Sequence, residues 1–318
     1  LVLLAISIGR RTSIELRLLR YHLDRTQAFY LARAGLERVS REKANDKETA
    51  FDTLDEPWSN KLNSGKEPEF KDFALGNGKF EVKYDYLETK ENKTTFYGMQ
   101  DELSKLNINK IIETTDTKVI DARSGEFKKL LENILKDSSV DVDGLVDKCI
   151  DWIDSDRDKR LYGREEYDQG IEPKNAPLNR LEELLMIDGF TAKIAAQIGN
   201  YVTVYGDGRV NVNTAPQEVL EAIGFDENSL KAQDIIKYRN DGIYIKEIKE
   251  GCGDFSIDNN GTLCVKSGTD IDASRLTVAS TVFMAHSSGK VNAVTKKITT
   301  VVTIKPDESL HYVYWHED

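Results

Sequence analysis

From Thr12 to Lys43 the chain holds no proline and a single glycine, Gly35, while apolar or small residues recur at Leu16, Leu19, Leu23, Tyr30 and Ala34. This spacing predicts one long amphipathic helix, with Arg17, Arg20, Arg25, Arg33, Glu37 and Arg41 on its other face. Leu1–Ile8 is apolar apart from Ser7, and continued into the helix it gives a rod much longer than a globular helix. The stretch is too short to cross a bilayer, which needs about 20 apolar residues. Followed by the basic flank Gly9-Arg10-Arg11, it reads as the end of a longer hydrophobic anchor. Such a stalk is unusual for an enzyme.

The remainder has to supply the globular part. With 318 residues, 31% of them charged and 39% hydrophobic, the chain can build two packed units plus appendages. Lys and Arg number 44 against 55 Asp and Glu, a net charge of −11. Such a surface repels phosphate backbones, which disfavours general nucleic-acid binding. Cys252 and Cys264 share one Gly/Asp/Asn-rich loop, where closure into a disulfide is easy and suits an oxidising compartment. Cys149 lies inside an apolar helical pattern and reads as a small buried core residue.

The pattern divides the chain into a stalk helix (1–44), a first α+β part (45–100), an inserted helical domain (101–242) and a second β part (243–318). Residues 45–78, with Pro57 and Pro68, read as an irregular linker. Lys79–Leu87 alternates and reads as a strand, paired across Asn92-Lys93 with Thr94–Tyr97. Lys105–Asn109 and Arg209–Asn213 each open a pair of helices, Ser124–Leu135 with Val142–Ile153 and Pro216–Ile223 with Leu230–Asn240, which suggests an internal duplication. Thr214 and Gln217 offer a capping box for the second copy. Between the copies, Leu181–Met186 and Ala192–Val202 flank a glycine turn at Ile187-Asp188-Gly189, the pattern of a helix-hairpin-helix, or SAM-like, unit. Strands return at Leu263–Val265, Arg275–Ala285, Lys290–Ile304 and Tyr312–Trp315, separated by Asn259-Asn260-Gly261 and Ser287-Ser288-Gly289. The fold class is α+β, a long N-terminal helix plus antiparallel sheet with a large helical domain inserted in the sheet.

Asp154, Asp156, Asp158 and Glu165 fall at positions 1, 3, 5 and 12 of an EF-hand-like count, with Glu166 and Asp168 close behind, and a hard cation suits such an oxygen set. Lys159 stands where that loop has glycine, and Arg157, Lys159 and Arg160 could neutralise the acids without metal. Both readings stay open at this point. His22, His286, His311 and His316 show no metal-ligand or triad spacing, and neither a G-x-S-x-G nor a phosphate-cradling glycine loop occurs, so the sequence gives no support for catalysis.

Specific segments then carry a resemblance. Arg11–Leu18 with Asp24–Glu37, Asp101-Glu-Leu-Ser-Lys-Leu-Asn-Ile-Asn109, Asp151-Trp-Ile-Asp154, Asn175-Ala-Pro-Leu178, Val210-Asn-Val-Asn-Thr-Ala215 and the tail through Trp315 together resemble the K-type minor pseudopilins of bacterial type II secretion systems. The resemblance implies a non-enzymatic subunit at the tip of a periplasmic pseudopilus. Its stalk would be anchored in the inner membrane before assembly, and its partners would be the I- and J-type minor pseudopilins and the secretion machinery. The resemblance also implies calcium in the helical domain, and absence of the N-terminal Glu of ordinary pseudopilins; Leu1–Ile8 contains no acid. Val210–Thr214, Gln217–Ile223 and Ala232–Arg239 also resemble the helix-hairpin-helix units of DNA-uptake receptors, which gives a membrane-stalked DNA receptor as the alternative. Against it, the hairpins Gly189-Phe-Thr191 and Gly224-Phe-Asp226 lack the second glycine, and Glu182, Glu183, Asp188, Asp226 and Glu227 surround them.

Overall fold

The computed structural model describes residues 2–46, 50–59, 68–112, 116–136, 139–166, 172–226, 230–266, 271–305 and 309–318. Helix α1 (Val2–Ala44) runs unbroken for 43 residues, about 65 Å at 1.5 Å per residue. Strands β1 (Phe73–Leu75), β2 (Gly78–Val82), β3 (Tyr84–Thr89), β4 (Asn92–Phe96) and β5 (Gln100–Asp101) follow. The middle of the chain holds β6 (Leu106–Asn107), α2 (Thr117–Leu135), α3 (Val142–Ile153), a 3-10 segment at Leu181–Met186, α4 (Ala192–Ile198), β7 (Val202–Thr203), β8 (Val210–Asn211), α5 (Gln217–Ala222) and α6 (Ala232–Asn240). The chain closes with β9 (Glu247–Cys252), β10 (Ser256–Ile257), β11 (Thr262–Lys266), β12 (Leu276–Thr277), β13 (Val282–Val291), β14 (Val294–Ile304) and β15 (Leu310–Glu317).

The main sheet has the order β1-β2-β13-β14-β15, with β5 also on β13, and all its pairs are antiparallel. The chain therefore leaves the sheet after β5, builds the helical region, and returns as β13, which pairs with both β2 and β5. Ala28, Leu31, Ala32, Leu36 and Val39 of α1 pack on this sheet with Trp58, Phe70, Phe80 and Phe283. The approach is close enough to need glycine: a Cβ at Gly35 would meet Ser287 and Phe80, and one at Gly289 would collide with the carbonyl of Ala28. Ser287 Oγ donates to the Ala32 carbonyl at 2.8 Å, locking helix to strand.

Several local expectations change. Ser287-Ser288-Gly289 lies inside β13 rather than at a turn, because those small residues form the strand face on which α1 rests; the reversal falls at Asn292, in the left-handed region at φ 52°. The strand expected over 79–87 splits at Lys83, with β2 in the main sheet and β3 pairing β4. The β3–β4 reversal sits at Lys90-Glu91, with Thr89 opposite Asn92. Helix α2 begins earlier than Ser124, because Asp116 caps it by accepting from Lys118 N at 3.0 Å. The capping box at Thr214 does not form: its hydroxyl donates to Asp101 at 2.6 Å, while Gln217 donates to Glu221. The linker contains β1, and the charged strand β9 pairs in parallel with β11.

The two N-x-N segments do the same work. Asn107 Oδ1 accepts from Asn109 N, and Asn211 Oδ1 accepts from Asn213 N. Asn109 then grips the backbone N–H and carbonyl of Leu178, as Asn213 grips those of Ile245. Each segment is also a short strand in a parallel pair, β6 with β7 and β8 with β12. One core joins the two copies, from Leu106 through Phe127, Ile150, Val212 and Ile235 to Leu276. Between the copies, the turn after the 3-10 segment uses Gly189 at φ +95°.

Candidate functional site

The stalk presents two different apolar faces. Toward the sheet it uses small or medium residues, Ala28, Leu31, Ala32, Leu36 and Val39, all buried. The stripe legible in the sequence is another one: Leu16, Leu19 and Leu23 are 52%, 56% and 53% exposed, and Tyr30 is 59% exposed. At about 100° per residue the two faces point roughly opposite ways. Val2, Leu3, Ile6 and Ile8 are exposed as well. Among the described residues no helix is long and apolar enough to cross a membrane.

The acidic loop folds back over the C-terminal end of α3. Asp147 accepts from Arg160 Nε and Tyr162 N, both at 3.0 Å, and Asp151 accepts from Arg160 N at 3.2 Å. Gly163 passes so near the Asp151 carboxylate that a side chain there would collide. Asn175 N donates to the Trp152 carbonyl at 3.0 Å. Asp154, Asp156 and Glu165 of the expected set share one neighbourhood with Asp151 and Asn175, but among the described residues their oxygens do not converge as closely as those of Asp46, Asp52 and Glu56. Asp158 points only its backbone N–H inward, to Asp156 Oδ1, Glu166 is exposed, and Asp168 lies outside the described residues.

This loop is short of positive charge. Asp154 Oδ1, Glu165 Oε1 and Asn175 Oδ1 are buried acceptors without a hydrogen-bond donor. Arg160 pairs with Asp147 and Asp121 instead, and among the described residues no Lys or Arg forms an ion pair with Asp154, Asp156 or Glu165. Burial, then the neighbouring charges of Asp156, Asp151 and Glu165, pushes the Asp154 carboxyl up to about 7. Burial and Asp151 likewise push Glu165 up. An oxygen-only set with unsatisfied acceptors fits a hard cation. Asp151 and Asn175 escaped the sequence count because they belong to the Asp151-Trp-Ile-Asp154 and Asn175-Ala-Pro-Leu178 segments, outside the loop's own spacing.

A second carboxylate group shows the contrast. Asp46, Asp52 and Glu56 lie close enough to share one cation, but Lys43 Nζ already sits among them. Next to it, Asp101 accepts from Asn211 Nδ2 at 3.1 Å, Thr214 Oγ1 at 2.6 Å and Ser280 Oγ at 2.7 Å. Ser280 N also donates to Asp52, at 2.5 Å. The end of the stalk, the second N-x-N segment and the strand returning to the sheet therefore meet in one buried polar joint. Elsewhere, Cys252 and Cys264 are joined as a disulfide across the β9–β11 region, and Cys149 is buried and free. At the hairpins, Asp188 pairs with Lys148 and Arg164, and Asp226 with Lys129.

A long N-terminal helix, half laid on an antiparallel sheet and half bare, is a pilin-like arrangement. A solved structure, the GspK-GspI-GspJ complex from the enterotoxigenic Escherichia coli type 2 secretion system, contains a chain of the same fold at a TM-score of 0.60 and 17% identity, covering 98% of this chain and 99% of that one. Residues 104–207 match the family model for protein K of the type II secretion system. No curated protein matches the chain significantly. The family match thus lies within the helical middle of the chain, and the solved structure shares the fold of nearly its whole length.

Proposed function

We propose that this subunit closes the tip of the pseudopilus and supports protein export across the outer membrane without catalysing a reaction. Its partners on this reading are two smaller minor pseudopilins, of the kind named with the E. coli relative, held helix to helix. Before assembly, on this reading, the stalk is anchored in the inner membrane. The observation that carries the reading is the stalk itself: one half is fixed to the sheet through Gly35, Ser287 and Gly289, and the other half leaves its leucines uncovered. A helix in that state is completed by neighbouring helices. The helical region inserted between β5 and β13, with its own core, supplies bulk that stops another subunit from stacking above.

Calcium belongs to the same reading. Asp154, Asp156, Glu165 and Asn175 are the residues that would hold it, and a bound calcium would supply the positive charge that Lys43 supplies to the other acidic group. The test of the function is co-expression of the full chain with the two smaller minor pseudopilins of the same secretion system. A stable one-to-one-to-one assembly in native mass spectrometry is expected. Recovery of the chain alone under all conditions contradicts it.

A further inference from the structure

We propose that the outer edge of β15 docks a β-strand from a neighbouring pilin-like subunit, a strand that carries a carboxylate on the side facing α1. This rests on the functional reading above and adds a contact made by the sheet rather than by the stalk.

The two edges of the main sheet are unlike. One is β1, only three residues long. The other is β15, eight residues from Leu310 to Glu317 without a lysine or a proline, and among the described residues no strand pairs with its outer side. Short length, lysine and proline are the usual means of closing a sheet edge. Here only a bulge is present, where Val313 has no residue opposite it on β14.

The backbone on that side is ready for a partner. Asp318 N donates to the Lys297 carbonyl at 3.1 Å, and alternate residues of an antiparallel strand face opposite ways. His316 and Tyr314 therefore turn toward β14, while Trp315 and Glu317 turn their N–H and carbonyl groups outward, and both are exposed. These groups select a strand, because a helix has already spent its own backbone groups.

Shape and charge choose the occupant. Tyr312 and Trp315 are exposed and meet edge to face at 5.6 Å, so the bulge has brought both to one side of the strand. Between Tyr312 and α1 lies an open groove of about 390 Å³, with Glu37, Arg41 and Leu310 in its walls. Glu37 is hydrogen-bonded to the Tyr312 hydroxyl, on which the charges of Arg33 and Arg41 also act. Among the described residues neither arginine forms an ion pair. An added strand sends every second side chain toward this groove, and a carboxylate there meets both arginines. A second copy of this chain is the wrong occupant. An antiparallel pair of β15 edges has its two-fold axis normal to the sheet, which would send two stalks lying flat on that sheet in opposite directions. A neighbour whose stalk runs the same way carries its globular part at the level of Arg33–Asn45, beside this edge.

The experiment is amide-resolved hydrogen exchange on the full chain, alone and in the assembly formed by co-expression with the two smaller pseudopilins. The Trp315 and Glu317 amides should exchange freely in the chain alone and slow by about tenfold or more in the assembly, while Tyr314 and His316, already bonded to β14, change little. Trp315→Pro removes one outward N–H and leaves the β14 ladder in place. It should weaken capture of one partner about tenfold, the worth of one or two hydrogen bonds, as should Arg41→Glu. Lys290→Glu, at an exposed position on the interior strand β13, should leave capture unchanged. The melting temperature of each variant alone shows whether it is folded, and exchange in the unmodified chain decides the matter where one is not. Unchanged exchange at Trp315 and Glu317 in an assembly that does form overturns the proposal, as does wild-type capture by both Trp315→Pro and Arg41→Glu. Protection that appears in the chain alone as its concentration rises overturns the choice of occupant. If the unmodified chain captures neither subunit, the functional reading falls, and this inference with it.

Discussion

The carboxamide of Asn213 holds both backbone groups of Ile245, donating to its carbonyl at 2.8 Å and accepting from its N–H at 2.9 Å. Asn109 holds Leu178 in the same way, at 2.9 and 2.8 Å. In each copy, the residue that starts the module also captures the segment that leaves its helices. The two segments are thus alike in their hydrogen bonds as well as in helix order.

Asn213→Ala would leave the buried N–H and carbonyl of Ile245 unpartnered, at about 1–3 kcal/mol per group. A loss of about 2–4 kcal/mol in denaturant unfolding is expected. Asn213→Asp keeps the acceptor but loses the donor, so it should also be destabilised. A loss below about 1 kcal/mol for Asn213→Ala would mean that the grip contributes little.

Asp101 gives the polar joint a pH dependence. It is 2% exposed, and burial pushes its carboxyl up to about 6 against the hydrogen bonds from Thr214 and Ser280. An unfolded Asp titrates near about 3.9. The folded state therefore binds this proton more tightly, so the contribution is complete below about pH 4 and is lost as pH rises through about 6. Relative to Asp101→Asn, the wild type should gain about 2–3 kcal/mol on going from pH 7 to pH 4. Parallel stability curves for the two proteins would contradict this. The nearby Glu56, pushed up to about 8 mainly by burial, is common to both proteins, and the charge of Asp52 adds to the upward shift of Asp101.

Much of the fold is legible because period and punctuation agree. The proline-free run ending at Lys43 gives α1 to within a residue, and Val142–Ile153 is α3 as read. The failures share a cause: a residue's local signal was overridden by a distant partner. Thr214 would cap a helix on local chemistry, yet its hydroxyl serves Asp101, 113 positions away. Ser287, Ser288 and Gly289 look like a turn, but a helix lying directly on β13 requires small residues there. The stripe at Leu16, Leu19 and Leu23 is helical in period, but period alone does not say whether its partner is the chain's own sheet. The acidic loop was visible by composition, whereas Asn175 enters it only through the backbone bond to Trp152.

The Cys252–Cys264 disulfide closes a short loop, with a sequence separation of 12. Constraint of the unfolded chain by a loop of this size contributes about 3 kcal/mol. Reductant should lower the melting temperature and raise hydrogen exchange across residues 247–266, where Leu263 and Val265 join the core. Three alkylatable thiols in unreduced protein from the envelope would contradict the pairing.

Calcium should raise the melting temperature relative to EDTA by an amount that grows with concentration, the stabilisation reaching about 2.7 kcal/mol at a hundredfold excess over the Kd. Glu165→Gln and Asp154→Asn should remove most of that increment, whereas Glu166→Gln, at an exposed carboxylate, should leave it in place. No shift between EDTA and millimolar calcium would refute the metal reading.

The central claim concerns position. Gold labelling of the full chain on pseudopili assembled with all their subunits, counted by electron microscopy, tests it most directly. The account predicts one labelled end per filament and a bare shaft. Label distributed along the shaft would contradict it.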